Sequence, residues 1–319
     1  MHEFELINNY FSNISKKNKA ALSLNDDVFF DKKNCLLASI DTYNEKVHYP
    51  NFSNPNLIIK KVIRSSISDI ICKGADPKYL LISFSGSKKN FTSKNIKLII
   101  NSINQEQKKY NFSLIGGDIT VSNRSSFTIC VFGFNKKIIK RNNCLTDDDI
   151  YITGNIGDSS IGLSILRNKL KINKKINNYF ISQYFKPNLP FGFHRELFKF
   201  ASSSMDVSDG LLIDLKKLVG DKYKKFILDI NNLPKSYYFA QILNQKKIKL
   251  NNHLFSGDDY QIVFTAKKKY RKKVISYARR WNQKITLIGK ITNRKDNFIK
   301  LGQKLIKIKD YRGYIHHFI

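Results

Sequence analysis

The chain has 319 residues and is 42% hydrophobic, enough for one large domain or two ordinary ones with real cores, and it has no apolar run of roughly 18 residues that could span a bilayer. Lys and Arg number 56 against 25 Asp and Glu, a formal net charge of +31, which taken alone suggests nucleic acid or an anionic membrane. The basic residues are instead dispersed, as at Lys16-Lys17, Lys88-Lys89, Lys174-Lys175 and Lys267-Lys268-Lys269. Lysine dominates arginine and no recognition motif accompanies it, so specific nucleic-acid binding is not expected.

In chain order, the opening MHEFELINNYF has neither the basic start nor the long apolar stretch of a secretory signal, so a cytoplasmic protein is expected. Phe4, Ile7 and Tyr10 recur at helical spacing. Cys35 to Ile40 reads as a strand ending at Asp41. Apolar positions 58, 59, 62, 63, 67, 70 and 71 predict a helix that stops at Gly74, with Pro77 beyond. Tyr79 to Phe84 reads as a strand and Ser93 to Tyr110 as a helix. Phe112 to Ile115 is a strand running into Gly116-Gly117-Asp118, and Phe127 to Phe134 alternates as another. A basic and polar connector, 136–149, separates this half from a second that begins with the strand Ile150 to Thr153 and the turn GNIGDSS. The fold class expected is α+β or α/β in two domains, 1–146 and 147–319. Cys35, Cys72, Cys130 and Cys144 form no CxxC pair and have no histidines at zinc spacing, so reduced thiols are expected.

With so few acids in the chain, those at the ends of apolar runs stand out: Asp26-Asp27, Asp41, Asp69, Asp118, Asp206, Asp209 and Asp258-Asp259. Many oxygen ligands without histidine or thiolate clusters suit Mg²⁺ bridging phosphates, the arrangement phosphoryl transfer requires. Each acid has a plainer reading as a turn or helix cap; Asp209 before GLLIDL and Asp158 after GNIG are examples. The chain carries no Walker A loop and no protein-kinase HRD or DFG pattern. The glycines at 116–117 and 154–157 could present backbone NH groups to phosphate.

The segments EFELI (3–7), LNDD (24–27), SIDT (39–42), SISDIICKGADP (66–77), LIGGDIT (114–120), YITGNIGDSSIGL (151–163), MDVSDGLLIDL (205–215), SGDDYQIVFT (256–265), IGKIT (288–292) and YRGYIHHF (311–318) occur in the order and spacing of one family. The chain resembles the thiamine-monophosphate kinases, within the wider superfamily of aminoimidazole ribonucleotide synthetase and selenophosphate synthetase. The resemblance runs from residue 3 to 318. It implies a two-domain synthetase-like fold whose N-terminal strands join a second copy in a dimer barrel, with ATP and several Mg²⁺ ions in the cleft between domains. It assigns Asp27, Ser39, Ile40 (through its carbonyl), Asp41, Asp69, Asp118, Asp206 and Asp209 to metal. Gly117, Asp118, Arg141 and Ser208 would contact ATP, and His48, Asp258 and Tyr311 thiamine monophosphate. The implied reaction is ATP-dependent phosphorylation of thiamine monophosphate to the diphosphate, by a homodimer with no membrane or specific nucleic-acid partner.

The chain departs from the family pattern at Ser23 and Asn25, which stand for glycines, at Ser66 for Asn and at Ile119 for Thr. It departs again at Asp258 for Glu and at Tyr311 for Trp. An aminoimidazole ribonucleotide synthetase-like enzyme is the nearest rival within the superfamily, and a basic nucleic-acid-binding protein on this fold the rival outside it. Selenophosphate synthetases need a reactive Cys or selenocysteine and a Lys near a glycine-rich N-terminal stretch, which this sequence lacks.

Overall fold

The computed structural model describes residues 2–220, 223–311 and 313–316. Its first half forms a five-stranded sheet from β1 (Phe29–Asp31), β2 (Leu36–Asn44), β3 (Pro77–Gly86), β4 (Ser113–Val121) and β5 (Ser126–Phe134), in the order β1-β2-β5-β3-β4. Only the β3–β4 pair is parallel.

The Pro55–Cys72 helix covers one face of this sheet. Its periodicity explains why: Ile58, Ile59, Val62, Ile63, Ile67, Ile70 and Ile71 are all fully buried, each contributing about 2 kcal/mol of apolar burial. Proline in its first turn favours its start, and Gly74, with φ +82°, ends it. On β2, Leu37, Ser39 and Tyr43 point toward the helix, while Ile40, Thr42 and Asn44 point away. The face away from the helix is uncovered, and edge strand β4 is exposed along its whole length.

The second half forms a seven-stranded sheet from β6 (Asp149–Thr153), β7 (Ala201–Asp206), β8 (Lys225–Asp229), β9 (Ile262–Ala266), β10 (Ile285–Thr292), β11 (Phe298–Leu301) and β12 (Lys304–Lys307). Their order is β12-β11-β8-β10-β6-β9-β7, and the β8–β11 pair is parallel. β6 and β9 are buried on both faces. No strand or helix occurs in the 136–148 segment between the sheets.

The Pro55–Cys72 helix also seals the two sheets together. Ser68 Oγ donates to Asp206 Oδ2 on β7 at 2.6 Å, Lys73 Nζ donates to the Ser204 carbonyl at 2.9 Å, and Ser204 Oγ donates to the Cys72 carbonyl. One apolar core runs from this helix to Tyr151, Tyr184, Phe193 and Phe264 of the second half. All four cysteines are free. Among the described residues, no helix is long and apolar enough to cross a membrane.

Candidate active site

A cleft of about 640 Å³ opens where the Pro55–Cys72 helix meets β2 and β7. Spacing of four residues places Lys61, Ser65, Asp69 and Lys73 along one stripe of that helix. Asp69 lines the cleft floor and accepts a 2.6 Å hydrogen bond from Ser39 Oγ on β2. Two residues along the same face of β2, Asp41 accepts from Tyr43 Oη at 3.1 Å, and that hydroxyl also meets Ser66 Oγ at 3.1 Å. Asp206 ends β7, and the loop after it brings Ser208 and Asp209 to the cleft.

This loop is held from below by Ser256-Gly257-Asp258. The Asp258 NH donates to the Ser208 carbonyl at 2.8 Å. A Cβ on Gly257 would lie 2.3 Å from that carbonyl oxygen and 2.7 Å from the Asp209 carbonyl carbon, so only glycine permits the approach. Asp209 does not cap the helix that follows. That role belongs to Asp214 Oδ2, which accepts from the NH groups of Asp209 (3.1 Å) and Gly210 (2.9 Å), leaving the Asp209 carboxylate to pair with Lys217 at 2.5 Å. Asp259 is also structural: its carboxylate accepts from the Gly157 NH at the start of the Asp158–Leu166 helix.

The carboxylates strain against one another. Burial, followed by Asp41 and Asp206, pushes Asp69 well above the usual carboxylate range. Burial likewise raises Asp41, helped by Asp209 and Glu3, and raises Asp206 to about 6. Among the described residues, none of these three is ion-paired with a Lys or Arg. Lys217 is taken up by Asp209, and at the Asp26–Asp27 end Lys73 Nζ lies 2.6 Å from Asp26 Oδ1 and 2.5 Å from Asp27 Oδ2, with Arg141 paired to Asp27 Oδ1. Ligand atoms of Asp27, Cys72 and Asp206 fall within 4.8 Å of one another. A cavity floored by unpaired, mutually repelling carboxylates and hydroxyls fits hard divalent cations such as Mg²⁺.

Asp27, Ile40, Asp41, His48, Asp69, Arg141, Asp206, Ser208, Asp209 and Asp258 therefore all line one cleft, with Ser39 bonded to its floor. Three expected residues do not line it. Gly117 and Asp118 lie on β4, separated from β2 by β3 and β5. Registers pair Asp118 with Ser83, Ser83 with Thr128 and Thr128 with Thr42, so Asp118 faces the uncovered side of the sheet, opposite Asp41. Gly117 is required there because a Cβ would collide with the Ile82 carbonyl oxygen at 1.8 Å.

Tyr311 packs beside the second core, where its hydroxyl accepts from Asn297 Nδ2 at 2.6 Å and Lys216 Nζ lies 5.0 Å from its ring. Tyr314 and His316 occupy the cleft mouth instead, beside Glu3 and Phe4 from the N-terminus. The Tyr314 NH donates to the Asp209 carbonyl at 2.8 Å, and the Glu3 NH to the His316 carbonyl at 3.1 Å. Arg312, His317 and Phe318 of the closing motif lie outside the described residues.

The substituted turn before Asp26 keeps a glycine-like backbone at Ser23 (φ +59°), flanked by Leu22 (φ +51°) and Leu24 (φ +54°), whereas Asn25 is ordinary at φ −125°. Lys61, Lys73 and Lys217 also pair with acids of this site, although no motif assigns them a role. The four-residue stripe 61–65–69–73 was a usable signal for the first two. His48 stays below the usual histidine range through burial and the neighbouring His316; its Nδ1 accepts from the Asn44 NH at 2.9 Å.

Comparison with known proteins agrees with this architecture. Residues 17–135 match the family model for the N-terminal domain of AIR synthase related proteins. The chain is 33% identical to the thiamine-monophosphate kinase of Buchnera aphidicola subsp. Schizaphis graminum, covering all of this chain and 99% of that one. It is 31% identical to the enzyme of the same name from Buchnera aphidicola subsp. Acyrthosiphon pisum, over 98% of each. The fold superposes on a solved structure described as AaThiL complexed with AMPPCP and TMP, with a TM-score of 0.85 and 24% identity over 99% of this chain and 97% of that one.

Proposed function

The chain belongs to the thiamine-monophosphate kinase family, and from that membership we infer that it is an ATP-dependent kinase converting thiamine monophosphate to thiamine diphosphate. The observation that carries this reading is the convergence of Asp41, Asp69 and Asp206, unpaired and at raised proton affinity, on the cleft that Arg141 and Asp258 also line.

The acceptor is itself a phosphate and is nucleophilic at neutral pH, so the cleft needs no general base; it must bring two polyanions into line and screen them. We assign Ser39, the Ile40 carbonyl, Asp41, Asp69, Asp206 and Asp209 to holding Mg²⁺, while Asp27, expected among the ligands, has both carboxylate oxygens paired with Lys73 and Arg141 and borders the metal site. Bound there, the ions would neutralise phosphate charge and fix the oxygens that exchange the phosphoryl group. Arg141 and Ser208 would face the nucleotide. His48, kept neutral by its surroundings, would not repel the cationic thiazolium, while Asp258 stands across the cleft. The reading sets Tyr314, which lines the cleft, in the place of Tyr311, since an aromatic ring there can face a cation.

Gly117 and Asp118 enter the reading through a second copy. Ile40 (68% exposed), Ile115 (53%), Ile119 (69%) and Val121 (75%) leave the uncovered sheet face and its open edge apolar, a surface of the kind homodimers bury. Apposing two such faces would bring one copy's Asp118 toward its partner's cleft. The chain is read as two domains, 1–146 and 147–319, working as a cytoplasmic homodimer. Purified protein supplied with ATP, Mg²⁺ and thiamine monophosphate should yield ADP and thiamine diphosphate in equal amounts; absence of product across pH 6–9 would overturn the substrate assignment.

A further inference from the structure

Lys73 is fully buried, yet it stands at the edge of the acidic nest rather than in the apolar core. Its ammonium has three protons and three acceptors: Asp26 Oδ1 at 2.6 Å, Asp27 Oδ2 at 2.5 Å and the Ser204 carbonyl at 2.9 Å. It is therefore saturated. The Asp27 carboxylate is correspondingly enclosed by cations, with Lys73 on one oxygen and Arg141 on the other. Carboxylate oxygens from two residues plus a backbone carbonyl, at 2.5–2.9 Å from one centre, are the kind of oxygen ligands a divalent ion takes.

We propose that the Lys73 ammonium is a built-in cation that occupies the Asp26–Asp27 end of the nest in place of a divalent ion. Asp26 and Asp27 together carry two negative charges in a position where burial makes unpaired charge costly. A fixed lysine compensates part of that charge before any ligand arrives and positions Asp27 against Arg141. It also separates the Cys72 thiol from a metal: Cys72 Sγ lies 3.7 Å from the Asp27 oxygen that Lys73 holds. Divalent ions are then recruited at the other end, where Asp41, Asp69 and Asp206 have no ion-paired Lys or Arg among the described residues. Lys73 is a positioning residue in this account and touches neither substrate.

The proposal rests on the nest being the magnesium site, and the test separates the two. Mn²⁺, an oxygen-seeking stand-in for Mg²⁺, is titrated into the full chain with a non-hydrolysable ATP analogue, and bound ions per chain are counted by paramagnetic resonance of the free ion. Wild type should bind Mn²⁺ in the nest, and Lys73→Met should bind one additional ion per chain. Without nucleotide, millimolar Mn²⁺ should raise the Tm of the variant by several degrees more than that of wild type, because the metal replaces the lost cation. If Lys73→Met does not fold, Lys73→Met/Asp26→Asn keeps the net charge and frees the same Asp27 oxygen; it should bind the additional ion too. Equal ion counts and equal Tm shifts in wild type and the folded variant would overturn the role of Lys73 alone. No Mn²⁺ bound by any of the proteins would overturn the magnesium reading along with it.

Discussion

Lys61 Nζ, fully buried, lies 2.8 Å from Asp258 Oδ1 and 4.0 Å from the centre of the Tyr184 ring. Asp258, which lines the cleft, is thus paired with a buried lysine, and Tyr260 Oη donates to the same oxygen at 2.8 Å. Removing one partner strands the other charge in the interior. Asp258→Ala should therefore cost about 3 kcal/mol in denaturant unfolding at pH 7.5, whereas Lys61→Met/Asp258→Asn should recover most of that loss. If the double variant is as unstable as the single one, the pair is not what holds this corner.

Tyr314, rather than Tyr311, should govern the acceptor. It lines the cleft, and its backbone NH donates to the Asp209 carbonyl. Tyr314→Ala should raise KM for thiamine monophosphate about tenfold, the scale of a lost cation–π contact of roughly 1–2 kcal/mol, with KM for ATP little changed. Tyr311→Phe removes only the hydroxyl bonded to Asn297 and should leave both constants near wild type. Steady-state kinetics with each substrate varied in turn decides between them.

Much of this was legible in the sequence, for identifiable reasons. The 58–71 apolar pattern fixed the central helix because all seven of its apolar positions are buried. Strand alternation in β2 similarly aimed Ser39 and Asp41 at one face. The distance of Asp118 from the other acids is not legible, because motif order carries no information about sheet order: β4 lies at the edge farthest from β1. Tyr311 and Tyr314 are not told apart by the motif, because both are aromatic and three residues apart; only the turn that bonds the Tyr314 NH to the Asp209 carbonyl distinguishes their places. The buried lysines are hard to read because 56 basic residues mask the few that are buried.

Stability should respond to pH through Asp158, which lies outside the cleft. Burial raises its carboxyl from 3.8 to about 6, against hydrogen bonds from Ser236 Oγ and Tyr179 Oη at 2.8 Å each. A folded pKa above the unfolded value means the folded state binds the extra proton, so this residue's contribution is intact below pH 4 and is lost as pH rises through about 6. Roughly two units correspond to about 3 kcal/mol. Asp158→Asn cannot ionise and gives up one acceptor worth about 1 kcal/mol. It should be more stable than wild type by about 1–2 kcal/mol at pH 7.5 and lose that advantage by pH 4. A pH-independent difference in urea midpoints would refute this assignment.

The last prediction concerns which copy supplies Asp118. It lies on β4, separated from Asp41 on β2 by β5 and β3 and facing the other side of the sheet, so a site that uses both is expected to draw them from different chains. Asp41→Asn and Asp118→Asn homodimers should each be nearly inactive, with circular dichroism unchanged. If the two variants are mixed, exchanged by mild denaturation and refolded, half of the dimers are mixed. By two-fold symmetry each mixed dimer has one site with both defects and one with neither. Activity should then return to about a quarter of the wild-type value. Ile119→Asp, which places a charge on the exposed apolar edge, should yield monomers by light scattering and abolish this rescue when built into both chains. Should mixing restore nothing while exchange is verified by mass-tagged chains, Asp118 acts within its own subunit or not at all.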